Sequence, residues 1–355
     1  MNGFYNGYEQ VVFETPEERQ SKISKQKSLF SRVFLALVIY TLTSRVFAIG
    51  VYAVMQLVLD EAVYLEFANN QIVAISLSCL AQYVVAFPIL RLVLIGTPTA
   101  GNKEKSKLTG SEFFLLFAIG EALMFAGNLI GNYVNQMIGA ALGRLPENGI
   151  ATTISETPIP LIFLYMVVLA PIVEELIFRK LLIDRLSIYG DKTAILFSSV
   201  AFGLMHGNLY QFFYATLLGA LFGYVYTKTR NIKYTVYMHT IVNFMGSIMA
   251  LPVQKALDSF YTILDVGYKG VPVNIIELFV SAAIIFIYTG IQYGLVIGGG
   301  IALFNFIKNK KITISNVKEI HLPDDVIRQY GVKNLGAILF LIITIGTIIL
   351  SLIFV

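Results

Sequence analysis

Apolar runs long enough to cross a bilayer recur along the chain, the last from about Leu335 to Phe354. A helix needs about 20 mostly apolar residues to span the hydrocarbon, so each such run reads as a membrane helix. Composition agrees: hydrophobic residues make up 56% of the 355 residues and charged residues only 14%, against about 25% charged in a soluble domain. Mean hydropathy is +0.72. The predicted fold is an all-α polytopic transmembrane helical bundle with an intramembrane polar cavity. A formal net charge of +4 is too small to indicate nucleic acid, and cytoplasmic loops account for the excess cations. The one cysteine, Cys79, sits in an apolar run, which excludes an internal disulfide and any multi-cysteine metal site.

Residues 1–28 form a polar leader of mixed charge, with no hydrophobic core ahead of a cleavage site. No cleaved signal peptide is expected; the first apolar helix serves as an uncleaved insertion signal. Residues 29–355 are expected to form a single transmembrane domain. Spans are predicted at about 29–59, 71–95, 113–142, 158–185, 193–206, 209–226, 234–251, 273–307 and 335–354. That makes eight to nine, because the fifth is short and the eighth could bend or re-enter. With a cytoplasmic N-terminus, the basic segments at 1–28, 97–110, 179–192, 228–233 and 308–333 all face the cytoplasm. The acidic or weakly charged loops at 60–70, 143–157 and 252–270 then face out. The Ile- and Lys-rich, Trp-free composition points to a low-GC bacterium, and hence to its plasma membrane.

Inside the fourth run lie Glu174, Glu175 and Arg179. A charge near the bilayer centre costs about 2.5–3.5 kcal/mol on insertion scales, so these groups need partners or a function. Glu175 and Arg179 share a helical face, acid first, the favourable order for an ion pair. Glu174 lies about 100° round the helix and has no intrahelical partner; it is the candidate for chemistry. Two histidines also lie in spans, each with a companion four residues away: Phe202 before His206, and Asn243 after His239. An acid and a histidine can hold and deprotonate a water, while a second histidine and an amide can donate to an oxyanion. The structural alternatives are a Glu–Arg pair that only joins helices and histidines that only pack. The company of Glu174 and the second His–Asn pair favours catalysis for His206 and His239.

These three motifs, Glu174-Glu175-xxx-Arg179, Phe202-xxx-His206 and His239-xxx-Asn243, in that order on successive spans, resemble the signature of the CPBP family. This family comprises CAAX-type prenyl proteases and bacteriocin-processing enzymes, also called Abi proteins. All signature positions are intact, and the resemblance covers about 113–251, a protease-like core. It implies a helical intramembrane endopeptidase acting on a membrane-embedded or membrane-anchored peptide or protein. Glu174 would be the general base with His206 beside it, His239 and Asn243 the oxyanion site, and Glu175 and Arg179 the orienting pair. Members are usually labelled metalloproteases, and Glu174, His206 and His239 could ligate zinc. The helix lacks a His-Glu-x-x-His pattern, and no cofactor is assigned, metal-free chemistry being preferred. The rival functions are a non-catalytic immunity or scaffold membrane protein, or a transporter using buried acids. Glu121 and Glu277 are expected to pair with Arg45 or Arg91 or to face a water-filled cavity. Gly298-Gly299-Gly300 is expected to permit close helix approach, and His321 to be solvated.

Overall fold

The computed structural model describes residues 15–101, 105–268, 274–314 and 317–353. Residues 1–14 of the leader, and Lys103 of the second basic segment, lie outside the described residues. Among the described residues all regular structure is helical. Helix α1 (Pro16–Val58) begins well inside the expected leader. Glu18 N–H donates to Thr15 Oγ1 and Thr15 N–H donates to Glu18 Oε2, a capping box that starts a helix irrespective of hydrophobicity. There follow α2 (Glu61–Asn69), α3 (Gln71–Val93), α4 (Gly110–Leu142), α5 (Gly149–Glu156) and α6 (Ile159–Tyr189). Helices α7 (Asp191–Met205), α8 (Leu209–Thr229), α9 (Ile232–Gly246) and α10 (Ala250–Tyr268) come next, then α11 (Ile275–Lys308), α12 (Asp324–Val332) and α13 (Leu335–Ile353).

Helices α2, α5, α10 and α12 occupy stretches expected to be loops. Each is short or mixes polar and apolar residues, so a search for continuous apolar runs passes over it. Among the described residues seven stretches are long and apolar enough to cross a bilayer: Pro16–Val58, Gln71–Val93, Gly110–Leu142, Ile159–Tyr189, Ile232–Asp265, Ile275–Lys308 and Leu335–Ile353. The two expected spans outside this set are α7 and α8. Helix α7 has 15 residues, about 22 Å of rise. Its Ala194, Ala201 and Phe202, with Leu218, Phe222 and Val225 of α8, are buried. Together the two form an inner hairpin packed against α4 and α6, so protein rather than lipid covers much of their apolar surface.

One apolar core joins α1, α6, α7 and α13 through Phe30, Leu37, Leu182, Ala201 and Phe340. A second joins α4, α8 and α9 through Ile119, Leu218, Phe222 and Val242. Helix α11 is unbroken and lies along α4. Of its three consecutive glycines, Gly299 makes the close approach: a Cβ there would collide with the Ala118 carbonyl. The outer face of α11 leaves Ile276 and Phe286 77% and 78% exposed, apolar surface that a bilayer covers. Glu277 belongs to the first turn of this helix, where the Asn274 side chain accepts its N–H. It is a capping residue and pairs with neither arginine considered for it. His321 is exposed, as expected.

Candidate active site

Helix α6 departs most from regular α geometry, and it does so around the two glutamates. Its segments Ile162–Leu169 and Leu176–Ile183 are π-helical, and the α-helical turn and a half Ala170–Glu175 lies between them. Such wide turns are frequent at functional sites. In the first, Ala170 N–H bonds back to the Tyr165 carbonyl. The next donor in that register would be residue 171 and its acceptor the Met166 carbonyl. Pro171 has no N–H, so that carbonyl is left open. Asn243 Nδ2, reaching across from α9, donates to it at 2.9 Å. The side-chain amide thus supplies the bond that proline cannot, and pins α9 to the site helix.

Packed in this way, α9 sets His239 against both acids. His239 Nδ1 lies 3.1 Å from Glu175 Oε1, and Nε2 lies 3.7 Å from Glu174 Oε2. The other oxygen of Glu175 pairs with Arg179, Oε2 to Nε 3.0 Å, as the spacing predicts, and both side chains are fully buried. The Arg179 guanidinium lies over the rings of Phe202 and Phe222, 4.9 and 5.6 Å from their centroids. The Phe202 ring also meets His206 edge-on, at 4.9 Å between centroids. One carboxylate, Glu175, therefore serves an arginine on one oxygen and an imidazole on the other. Glu174 keeps its side chain 29% exposed.

His206 is the C-cap of α7, after which Gly207 at φ +68° turns the chain. A left-handed φ is inexpensive for glycine, and it lets Asn208 begin α8 immediately, its side chain accepting Gln211 N–H at 2.9 Å. His206 Nδ1 lies 2.8 Å from the Phe202 carbonyl. A carbonyl only accepts, so Nδ1 carries the hydrogen and the neutral ring has its lone pair on Nε2. Glu174, His206, His239 and Asn243 all line one cavity of about 620 Å³. The direct approach to Glu174 is made by one of the two imidazoles. His239, not His206, bridges towards Glu174, because α9 lies directly on Ala170–Glu175 while the end of α7 ties one imidazole nitrogen to its own backbone.

The zinc alternative is not met by this donor arrangement: among the described residues no three His, Cys, Asp or Glu side chains form a group able to hold a metal ion. The opposite wall comes from α4. Glu121, Asn128 and Asn132 on α4, spaced to share a helical face, line the same cavity. Asn135, next in that row, is buried and donates to the Gly131 carbonyl at 2.8 Å. Glu121 has neither arginine partner considered for it: Arg45 Nη2 donates to Thr347 Oγ1 at 2.8 Å. Phe222, Tyr214 and the Met166 carbonyl were not singled out. Aromatic residues in apolar runs carry no periodic signal, and an open carbonyl could have been suspected only from Pro171.

A family model described as "Type II CAAX prenyl endopeptidase Rce1-like" matches residues 156–245. That stretch includes all six residues of the three motifs that bear charge, imidazole or amide. The chain is also 31% identical over 189 residues to a protein of Bacillus subtilis (strain 168) named "Putative membrane peptidase YdiL", covering 51% of this chain and 73% of that protein. No solved structure matches significantly.

Proposed function

The chain belongs to the CPBP family of intramembrane proteases, and on that premise we propose that it hydrolyses a peptide bond of a membrane-embedded or membrane-anchored substrate. The observation that carries the reading is the bridge of His239 between Glu174 and Glu175 on the wall of a cavity that also holds His206 and Asn243. Glu174, the acid without a permanent cation, is the general base. Its carboxylate and the Nε2 lone pair of His206 each accept a hydrogen of the water. Glu174 takes one proton as the hydroxide adds to the scissile carbonyl carbon. His239, as imidazolium with Glu175 behind it, presents Nε2–H to the oxyanion that forms. Asn243 Nδ2 has one hydrogen on the Met166 carbonyl and a second for the same oxygen. When the C–N bond breaks, the proton on Glu174 passes to the leaving nitrogen.

Glu175 and Arg179 act behind this set. The ion pair fixes the imidazole, and the rings of Phe202 and Phe222 exclude water from it. Glu175 and Arg179 compensate each other before substrate arrives, so little reorganisation of this pair accompanies the reaction. The direct test is cleavage of membrane-soluble peptides by the purified protein, with metal content measured on the same sample. Cleavage that survives removal of all metal supports the glutamate mechanism. Loss of cleavage on chelation, restored by zinc, replaces it with a metal-assisted one and leaves the peptidase reading in place. Peptide binding with no cleavage under any condition favours an immunity or scaffold protein instead.

A further inference from the structure

Among the described residues Glu121 is the one acid lining the cavity besides Glu174, and it is fully buried with no protein hydrogen-bond partner on either carboxyl oxygen. A buried carboxyl without a partner is costly, and a buried charge is retained only where something compensates it. The protein does not supply that compensation. Among the described residues no lysine or arginine lines the cavity, Arg179 is held by Glu175, and Arg45 donates to Thr347. The wall does supply aromatic faces, from Tyr83, Phe125, Tyr165, Tyr288 and Tyr293. Rings of this kind attract cations. Asn128 and Asn132 on the same face of α4 add amide oxygens that can accept from an ammonium.

We infer that Glu121 is the anionic end of a substrate subsite that receives a primary ammonium group, the side chain of a lysine in the peptide. The inference rests on the peptidase reading of the cavity and adds to it a class of substrate. A lysine suits this wall because its four-carbon stem is apolar and thin while its charge is compact, so the stem packs on the rings and the ammonium reaches the carboxyl. A guest with a positive charge supplies the partner that the described protein groups do not. A bilayer-buried peptide in turn needs an anion for any lysine it carries into the hydrocarbon. Each cost offsets the other only in the complex.

Binding tests this without requiring turnover. The chain contains no tryptophan, so a tryptophan in the peptide reports binding by its fluorescence. Pairs of apolar peptides differing only by lysine or its uncharged isostere norleucine, with the position scanned along the peptide, are titrated into protein in zwitterionic lipid. The Glu174→Gln background prevents turnover and removes the other cavity acid. At one or more positions lysine is expected to bind at least about tenfold tighter than norleucine, the low end for a close charge pair. Adding Glu121→Gln should reduce that ratio to near one, and Glu121→Asp should retain part of it. No lysine preference at any position in the Glu174→Gln protein overturns the inference, whether or not the Glu121 variants fold. A preference that persists in Glu121→Gln overturns it too, by assigning the cation to another site. Failure of the peptidase reading looks different: the wild type would then bind lysine peptides selectively and cleave none of them.

Discussion

The two walls of the cavity treat charge in opposite ways. On the α6–α9 wall Glu175 has a partner on each oxygen, Arg179 on one and His239 on the other. On the α4 wall Glu121 is as deeply buried and has none. Both arrangements put a carboxyl where lipid surrounds the protein, yet only the first has an ion-pair partner among the described residues, although Arg179 Nη1 and Nη2 find no acceptor there. The contrast separates charges that build the site from charges that await what enters it. Glu174 stands between the two cases: beside an imidazole 3.7 Å away, partly open, and without an intrahelical cation.

The largest effect should come from the residue between the walls. Glu174→Gln should lower the turnover number by about 10²–10⁴, the usual worth of a general base, while melting in detergent stays where it was. Normal turnover by this variant would remove Glu174 from the chemistry. On the paired wall, Arg179→Ala leaves Glu175 buried beside a single imidazole. Breaking a buried pair by deleting one partner costs about 3–5 kcal/mol, so the protein should melt much earlier and accumulate poorly. On the unpaired wall, Glu121→Gln removes a carboxyl that no described protein group partners, and its melting temperature should hold or rise. If both substitutions destabilised the protein equally, the distinction between the walls would be lost.

Asn243→Ala sharpens the comparison within the paired wall. Loss of one oxyanion donor should lower the turnover number by about 10²–10³ with the Michaelis constant nearly unchanged. The same change reopens the Met166 carbonyl, and an unsatisfied buried acceptor costs about 1–3 kcal/mol. A variant that loses stability but keeps full turnover would make Asn243 a pin between α6 and α9 and nothing more.

The smallest effect concerns charge outside the bundle. The hydrogen bond from Lys318 Nζ holds the Asp324 carboxyl, at the start of α12, below its usual range. A depressed folded-state value means that this contribution is present above the unfolded value, about 3.9, and is lost as pH falls through the folded one. With the Asp324 side chain 51% exposed, the pair is worth no more than about 1 kcal/mol and is screened by salt. Asp324→Asn should flatten the acid limb of stability slightly, and a large shift would show that α12 is coupled to the bundle more tightly than its exposure indicates.

How much of this was legible beforehand depended on whether the cause was local. Apolar runs announced the membrane helices, because the hydrocarbon thickness sets a length that the chain must meet by itself. The four-residue spacing announced the Glu175–Arg179 pair, because a helix turn brings those side chains together wherever it lies. Helix α12 was missed because its apolar residues matter only once α1 is present to cover them.

The sequence by itself determined that this is a polytopic helical membrane protein, and it singled out Glu174, His206, His239 and Asn243, since each is costly in lipid without a reason to be there. Only the tertiary structure decided which of them meet. That His239 rather than His206 reaches towards Glu174, that Asn243 answers the carbonyl left open by Pro171, and that Glu121 meets no arginine all follow from where α4, α7 and α9 pack against one another and against α6. Those contacts join residues far apart in the chain, and no periodicity within one helix encodes the distance to a neighbour.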